Sequence, residues 1–196
     1  MSELNHISES QRKALQPIFD ATEATMGFVP NSFYAMAHWP ELLQSFTQMA
    51  GTVLGQSEVD RGLKQLVAFV ASNAAGCRYC QAHTSHNAVR AGIAKQKLQA
   101  AFEFEASDLF NDAERAALRV ALHAGMVPNA VEPTHFEALR THYNDKQIVE
   151  IVAVISLFGF LNRWNDTMAT QLEGPAIAFA EEVLGPNGWD GGKHLT

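Results

Sequence analysis

The 196-residue chain is short of cysteine and of positive charge, with only Cys77 and Cys80, and 14 Lys+Arg against 21 Asp+Glu. The first shortage excludes a scaffold stapled by several disulfides. The second, with a net charge of -7 and no basic run, excludes a nucleic-acid partner, since phosphate neutralisation needs a Lys/Arg surplus on some face. No apolar stretch approaches the ~20 residues of a bilayer span. The longest, 148–161, is interrupted by Glu150. The opening residues MSELNHISESQRKAL lack an apolar h-region and a small-residue cleavage site, so no secretory leader is expected. Charged residues make up only 18% and hydrophobic ones 47%, which excludes a disordered chain. The expectation is a soluble cytoplasmic protein without cofactor, metal or membrane partner. In that reducing compartment a lone cysteine pair is catalytic, redox-sensing or metal-binding rather than structural.

Strand-like alternation is also missing, and the segments between Pro and Gly carry the 3.6-residue period, so the fold class is all-α. Helices are expected over 8–24 behind Ser8, over 40–54 with Pro40 in its first turn, and from a Ser57 cap through an apolar stripe at Leu63, Leu66, Val67, Val70 and Ala74. Between the first two, 27–31 reads as a turn. Gly76 breaks the third helix just before Cys77, and another runs from the cysteines to residue 90 or 91. Further helices are expected over 112–123, 133–143, 145–172 and 174–184, the long one central because it is apolar nearly all round. Residues 185–196 read as a Gly-rich, loosely held tail.

Sliding the chain by 85 residues lays Asp60 on Asp145, Leu63 on Ile148, Leu66 on Ile151 and Val67 on Val152. Cys77 and Cys80 then fall on Asn162 and Asn165. The expected organisation is one domain over 1–196 built from two related halves. The first, about 8–105, carries the thiols; the second, about 111–184, keeps the scaffold without them.

Residues 77–83 read C-x-x-C-x-x-H. A thiol reacts as its thiolate, so it needs a base or a helix N-terminus to lower its pKa, and a C-x-x-C just after Gly76 supplies the second. His83 lies at i+3 from Cys80, where helical side chains meet, and can take its proton. His86 falls on the opposite face from Cys77. Two cysteines with His83 and His86 on one short helix cannot all face a tetrahedral centre, which argues against zinc. Asn162, Arg163, Asn165 and Asp166 are polar where burial is expected. They form either an internal network or oligomer contact, or a pocket wall facing the thiols. Tyr79 and Trp164 read as core or rim aromatics.

The stretch LKQLVAFVASNAAGCRYCQAH resembles the core motif of the carboxymuconolactone decarboxylase / alkylhydroperoxidase D (AhpD)-like superfamily. GFVPNSFYAMAHWPELL and IVEIVAVISLFGFLNRWND are similar to its longer, peroxidase-related branch, so the resemblance spans most of residues 15–175. It implies an AhpD-like helical bundle, assembly as a homo-oligomer, and reduction of hydroperoxides by the dithiol. It further implies Cys80 as the peroxidatic thiol, Cys77 as the resolving one, and an external lipoyl or thioredoxin-like dithiol as reductant. Two positions depart from the family pattern. The acidic relay residue, twelve before the first cysteine, is Gln65, and the histidine four after the second is Thr84, with His83 one residue early. Glu58 and Glu150, the latter at the repeat-equivalent of Gln65, are the candidates to replace the missing carboxylate.

The expected function is a cofactor-independent thiol peroxidase in antioxidant defence. The alternatives are a redox-sensing or partner-binding protein using the same dithiol, and a carboxymuconolactone decarboxylase-like lyase that does not rely on it.

Overall fold

A computed structural model of the chain describes residue 4 and residues 6–195, and among them every regular element is helical. α1 (Glu9–Met26) starts from a reciprocal Ser8/Gln11 capping box and stops at Gly27, whose φ of +88° is open to glycine at no steric cost. The expected turn over 27–31 is followed by a short α2 (Asn31–Met36), for which no helix was expected, then α3 (Pro40–Leu54) with Pro40 at its first position. α4 (Arg61–Ala74) is capped by Asp60, whose side chain accepts from the N–H groups of Gly62 and Leu63. Ser57, the expected cap, instead donates its hydroxyl to Glu150.

α4 is the axis of the core. Its residues 64–72 are all buried, and it packs against α5 (Arg78–Arg90), α7 (Asp112–Gly125) and α9 (Asp145–Met168). Each fully buried Leu, Val or Phe on it contributes roughly 1.5–3 kcal/mol. α4 and α7 touch at backbone level: a Cβ on Gly125 would lie 2.6 Å from the Ala71 carbonyl oxygen and 2.9 Å from Ala74 Cβ. α6 (Lys95–Gln99), extended by a 3-10 turn to Glu103, and α8 (Pro133–Arg140) complete the outer layer.

Gly76 does break the chain between α4 and α5. Its φ of +74° turns the backbone so that Cys77 becomes the N-cap of a new helix while its N–H still reaches the Ser72 carbonyl. At the offset of 85 residues Leu161 stands in place of Gly76, and α9 runs straight through.

α9 has 24 residues and is apolar enough to cross a membrane by length and composition, which the interrupted run 148–161 did not suggest. Here it packs on α3, α4, α5, α7 and α8, leaving Val149, Val152 and Phe160 exposed. It ends at Met168 rather than near 172, because Ala169 turns left-handed at φ +45°. The chain then runs on to Glu173 and α10 (Gly174–Val183). The final segment is held, not loose: Trp189 and His194 are buried, Trp189 Nε1 donates to the Arg78 carbonyl, and the Leu172 N–H donates to the His194 carbonyl.

Candidate active site at the start of α5

Cys77 at the N-cap of α5 and Cys80 in its first turn are both free thiols, 0% and 2% exposed. They differ in acidity. Cys77 is lowered from the ordinary thiol value, first by hydrogen bonding from the Cys80 thiol and, against the cost of burial, by the N–H groups of Cys80 and Tyr79 at the helix start. Cys80 is pushed well above it, by burial first and then by Cys77. The Asn165 amide donates to Cys80 Sγ at 3.7 Å and partly offsets this. The two thiols share one hydrogen bond and titrate as a pair, with the N–H groups of the helix start on the Cys77 side.

His83 sits on the second turn of α5, but not against a sulfur. Its Nε2 pairs with Glu173 Oε2 at 2.6 Å, and its ring lies on Tyr79 with centroids 4.3 Å apart. Neither cysteine is among its hydrogen-bond partners within the described residues. Glu173 Oε1 also accepts from the Tyr79 hydroxyl, at 2.9 Å, and from the Asn31 N–H. Burial alone would raise the Glu173 carboxyl, yet His83 and the Asn31 N–H together hold it below the usual range. Burial and the Glu173 charge drive the Tyr79 phenol well up, so it remains a neutral donor. Substituting Glu173→Leu leaves three donors facing an apolar side chain; we expect a loss of about 3 kcal/mol in urea unfolding.

The carboxylates expected from the sequence lie elsewhere. Glu58 is at the surface, bound to Asn144 and Lys146. Glu150 accepts from the Ser57 hydroxyl and the Val59 N–H and lies 3.7 Å from buried Lys64. Fifteen residues of α9, about 22 Å of helix, separate it from Asn165, whose amide touches Cys80. Neither residue reaches His83, and Glu173, which does, was missed. The only hint was an acid directly before Gly174-Pro175, where a helix N-terminus favours one.

A cavity of about 310 Å³, lined by neither cysteine, opens between the C-terminal ends of α4 and α7 and the later turns of α9. Ala75, Gly125, Asn162, Arg163 and Asp166 line it. Asn162 Oδ1, Asn165 Oδ1 and Ser72 Oγ are buried without a hydrogen-bond partner. Asn162, Arg163 and Asp166 of the polar stretch of α9 thus line this cavity, while Asn165, outside it, faces Cys80. Asp166 raises both thiols through its charge and is itself paired with Lys193 at 2.9 Å. Among the described residues no group of three or more His, Cys, Asp and Glu is placed to hold a metal.

Residues 40–123 match the carboxymuconolactone decarboxylase family. The debrominase Bmp8 in its apo form is 36% identical, with a TM-score of 0.86 over 93% of this chain and 98% of its own. A cysteine-to-alanine variant of Bmp8 in complex with 2,3,4-tribromopyrrole is 35% identical, also at TM-score 0.86, over 92% and 97%. A peroxidase-related protein from Silicibacter sp. TM1040 shares the fold at 22% identity and TM-score 0.79, over 88% and 92%. YdfG of Bacillus subtilis (strain 168) is 29% identical over 112 residues, 56% of this chain and 74% of its own. With its thiol pair at a helix start inside an AhpD-like bundle, and this likeness extending over nearly its whole length, the chain belongs to the carboxymuconolactone decarboxylase family.

Proposed function

We propose that the protein is a dithiol oxidoreductase that reduces a small hydroperoxide and forms a Cys77–Cys80 disulfide. The carrying observation is the placement of two free thiols one helical turn apart, Cys77 at the N-cap and Cys80 in the first turn of α5. The Cys77 thiolate attacks the outer peroxide oxygen. The O–O bond breaks, the departing oxygen takes a proton and leaves as an alcohol, and Cys77 becomes a sulfenic acid. Cys80 then attacks the Cys77 sulfur, the S–O bond breaks, and water leaves as the disulfide closes. In sum, two thiols and one hydroperoxide give a disulfide, an alcohol and water. The His83–Glu173 pair supplies a proton-exchanging couple one turn beyond Cys80. An external dithiol, lipoyl or thioredoxin-like, returns the pair to the reduced state.

The likeness to Bmp8 favours one second reading, the reductive removal of halogen from a small aromatic ring. The same thiols would provide both electrons, giving arene, disulfide, halide and a proton. Thiol titration before and after one equivalent of tert-butyl hydroperoxide or of 2,3,4-tribromopyrrole tests both readings. Rapid loss of two thiols with the hydroperoxide supports the first. Thiol loss with bromide release from the pyrrole alone supports the second. Full retention of thiols in both arms overturns both.

A further inference from the structure

We propose that the exposed face of α9 is a self-complementary interface, on which a second copy of this chain docks antiparallel about a two-fold axis.

α9 meets solvent along one stripe. At 3.6 residues per turn Asp145, Val149, Val152, Ser156, Gly159 and Arg163 fall within about 80° of arc, and all six are exposed, Val149 to 66%. Val154, on the opposite side of the helix, is fully buried. Between its two ends the stripe carries no charge: Lys146 pairs with Glu58, and Glu150 turns to Lys64 and Ser57. An uncharged face of this length, bounded by charges, is the anatomy of a contact surface.

Gly159 is an independent observation. Glycine is among the poorest residues for a helix interior, yet a Cβ there would meet nothing within 4 Å, so packing within the chain does not require it. It lines the 310 Å³ cavity between α4, α7 and α9, together with Ile155 and Arg163. A gap left open at this point admits a side chain from outside.

The stripe matches itself when a copy is turned end for end. A two-fold axis through the stripe, level with Val154, sets Val149 over the partner's Gly159, Val152 over the partner's Ser156 and Asp145 against the partner's Arg163. Each valine meets a small residue, and each charge meets its opposite. Val149 thereby enters the gap that Gly159 leaves. Among the described residues neither Asp145 nor Arg163 forms an ion pair within its own chain, and a guanidinium suits a carboxylate bidentately. The symmetry uses every contact twice. A bilayer surface, the other apolar partner that α9 could meet, has no counterpart to this alternation of large and small residues.

The test is cross-linking between copies. In a Cys77→Ser, Cys80→Ser background, Val149→Cys combined with Gly159→Cys should oxidise to a covalent dimer on a non-reducing gel. The two positions are about 15 Å apart along one helix, too far for a disulfide within a chain, and for the same reason either substitution alone should leave the protein monomeric on the gel. Sedimentation equilibrium gives a second readout that needs no cysteine. We expect a wild-type dimer whose Kd rises at least about tenfold with Arg163→Glu or with Asp145→Lys, and returns to within about threefold when the two are combined. A larger assembly that follows the same pattern of loss and rescue supports the interface equally. A wild type that stays monomeric, cross-linking as efficient in the single variants as in the double, or a Kd indifferent to charge reversal overturns the proposal. Binding of a monomeric wild type to phosphatidylglycerol vesicles overturns it in favour of a membrane-facing α9.

Discussion

Cys77→Ser loses disulfide formation and hydroperoxide consumption by more than about a thousandfold, the scale on which enzymes respond to loss of their nucleophile. Cys80→Ser behaves differently: it consumes one equivalent of peroxide, accumulates a sulfenic acid at Cys77 that dimedone traps, and then stops. The asymmetry arises from the environments of the two sulfurs. Cys77 is lowered by its neighbour's S–H and by the free N–H groups of the first turn, whereas burial raises Cys80. We expect ionisation at Cys77, the sulfur at the helix N-terminus, to govern attack, so that the wild-type rate rises with pH. Mass spectrometry of dimedone adducts reads the two variants directly. A sulfenic acid at Cys80 in Cys77→Ser, with none in the converse variant, restores the order the family resemblance implies. Retention of full activity by both would instead mark a lyase indifferent to its thiols.

Glu150→Ala is expected to cost about 2–3 kcal/mol at neutral pH, less than the full loss of a buried ion-pair partner. Lys64 is 1% exposed, and its ammonium donates to the Val53 and Gly55 carbonyls and the Ser57 hydroxyl, with Glu150 as its counter-charge at 3.7 Å. Removing one partner of a buried pair costs ~3–5 kcal/mol, and the three remaining acceptors soften this. The pH dependence has a definite sign. Desolvation works against the Glu150 anion, but Ser57, the Val59 and Glu58 N–H groups and Lys64 bring its pKa down to about 2. A carboxyl lowered by folding stabilises fully above its unfolded value of 4.5, and that contribution fades as the pH falls from there through about 2. Urea unfolding at pH 7 and near pH 2 should therefore show a gap between wild type and variant that closes in acid. A gap of unchanged size would assign the loss to packing instead of charge.

The dithiol and the break that exposes it were legible in the sequence because their cause is local. Gly76 admits the positive φ, and Cys77 caps α5, all within five residues. Pro40 and Gly174-Pro175 marked helix ends for the same reason. Glu173 was not legible. Its approach to His83, ninety residues away, depends on Ala169 adopting a left-handed turn that no alanine advertises. Had α9 run on to 172, as its apolar pattern suggested, the carboxylate would have been carried elsewhere. Glu58 was drawn in by its place upstream of Gln65 and Glu150 by sequence offset, and Glu150 does lie beside α4. It lies beside the N-terminal end of that helix, however, while the cysteines come after the other end. Register alone could not tell which end mattered.

The last residues of the chain close over the site they were not expected to touch. Trp189 hangs from the carbonyl beside Cys77, and Lys193 answers Asp166, an anion whose charge makes both sulfurs harder to ionise. Reactivity at the thiols is therefore partly written more than a hundred positions downstream. A variant lacking Trp189 and Lys193 is, in chemical terms, a different reagent from the wild type.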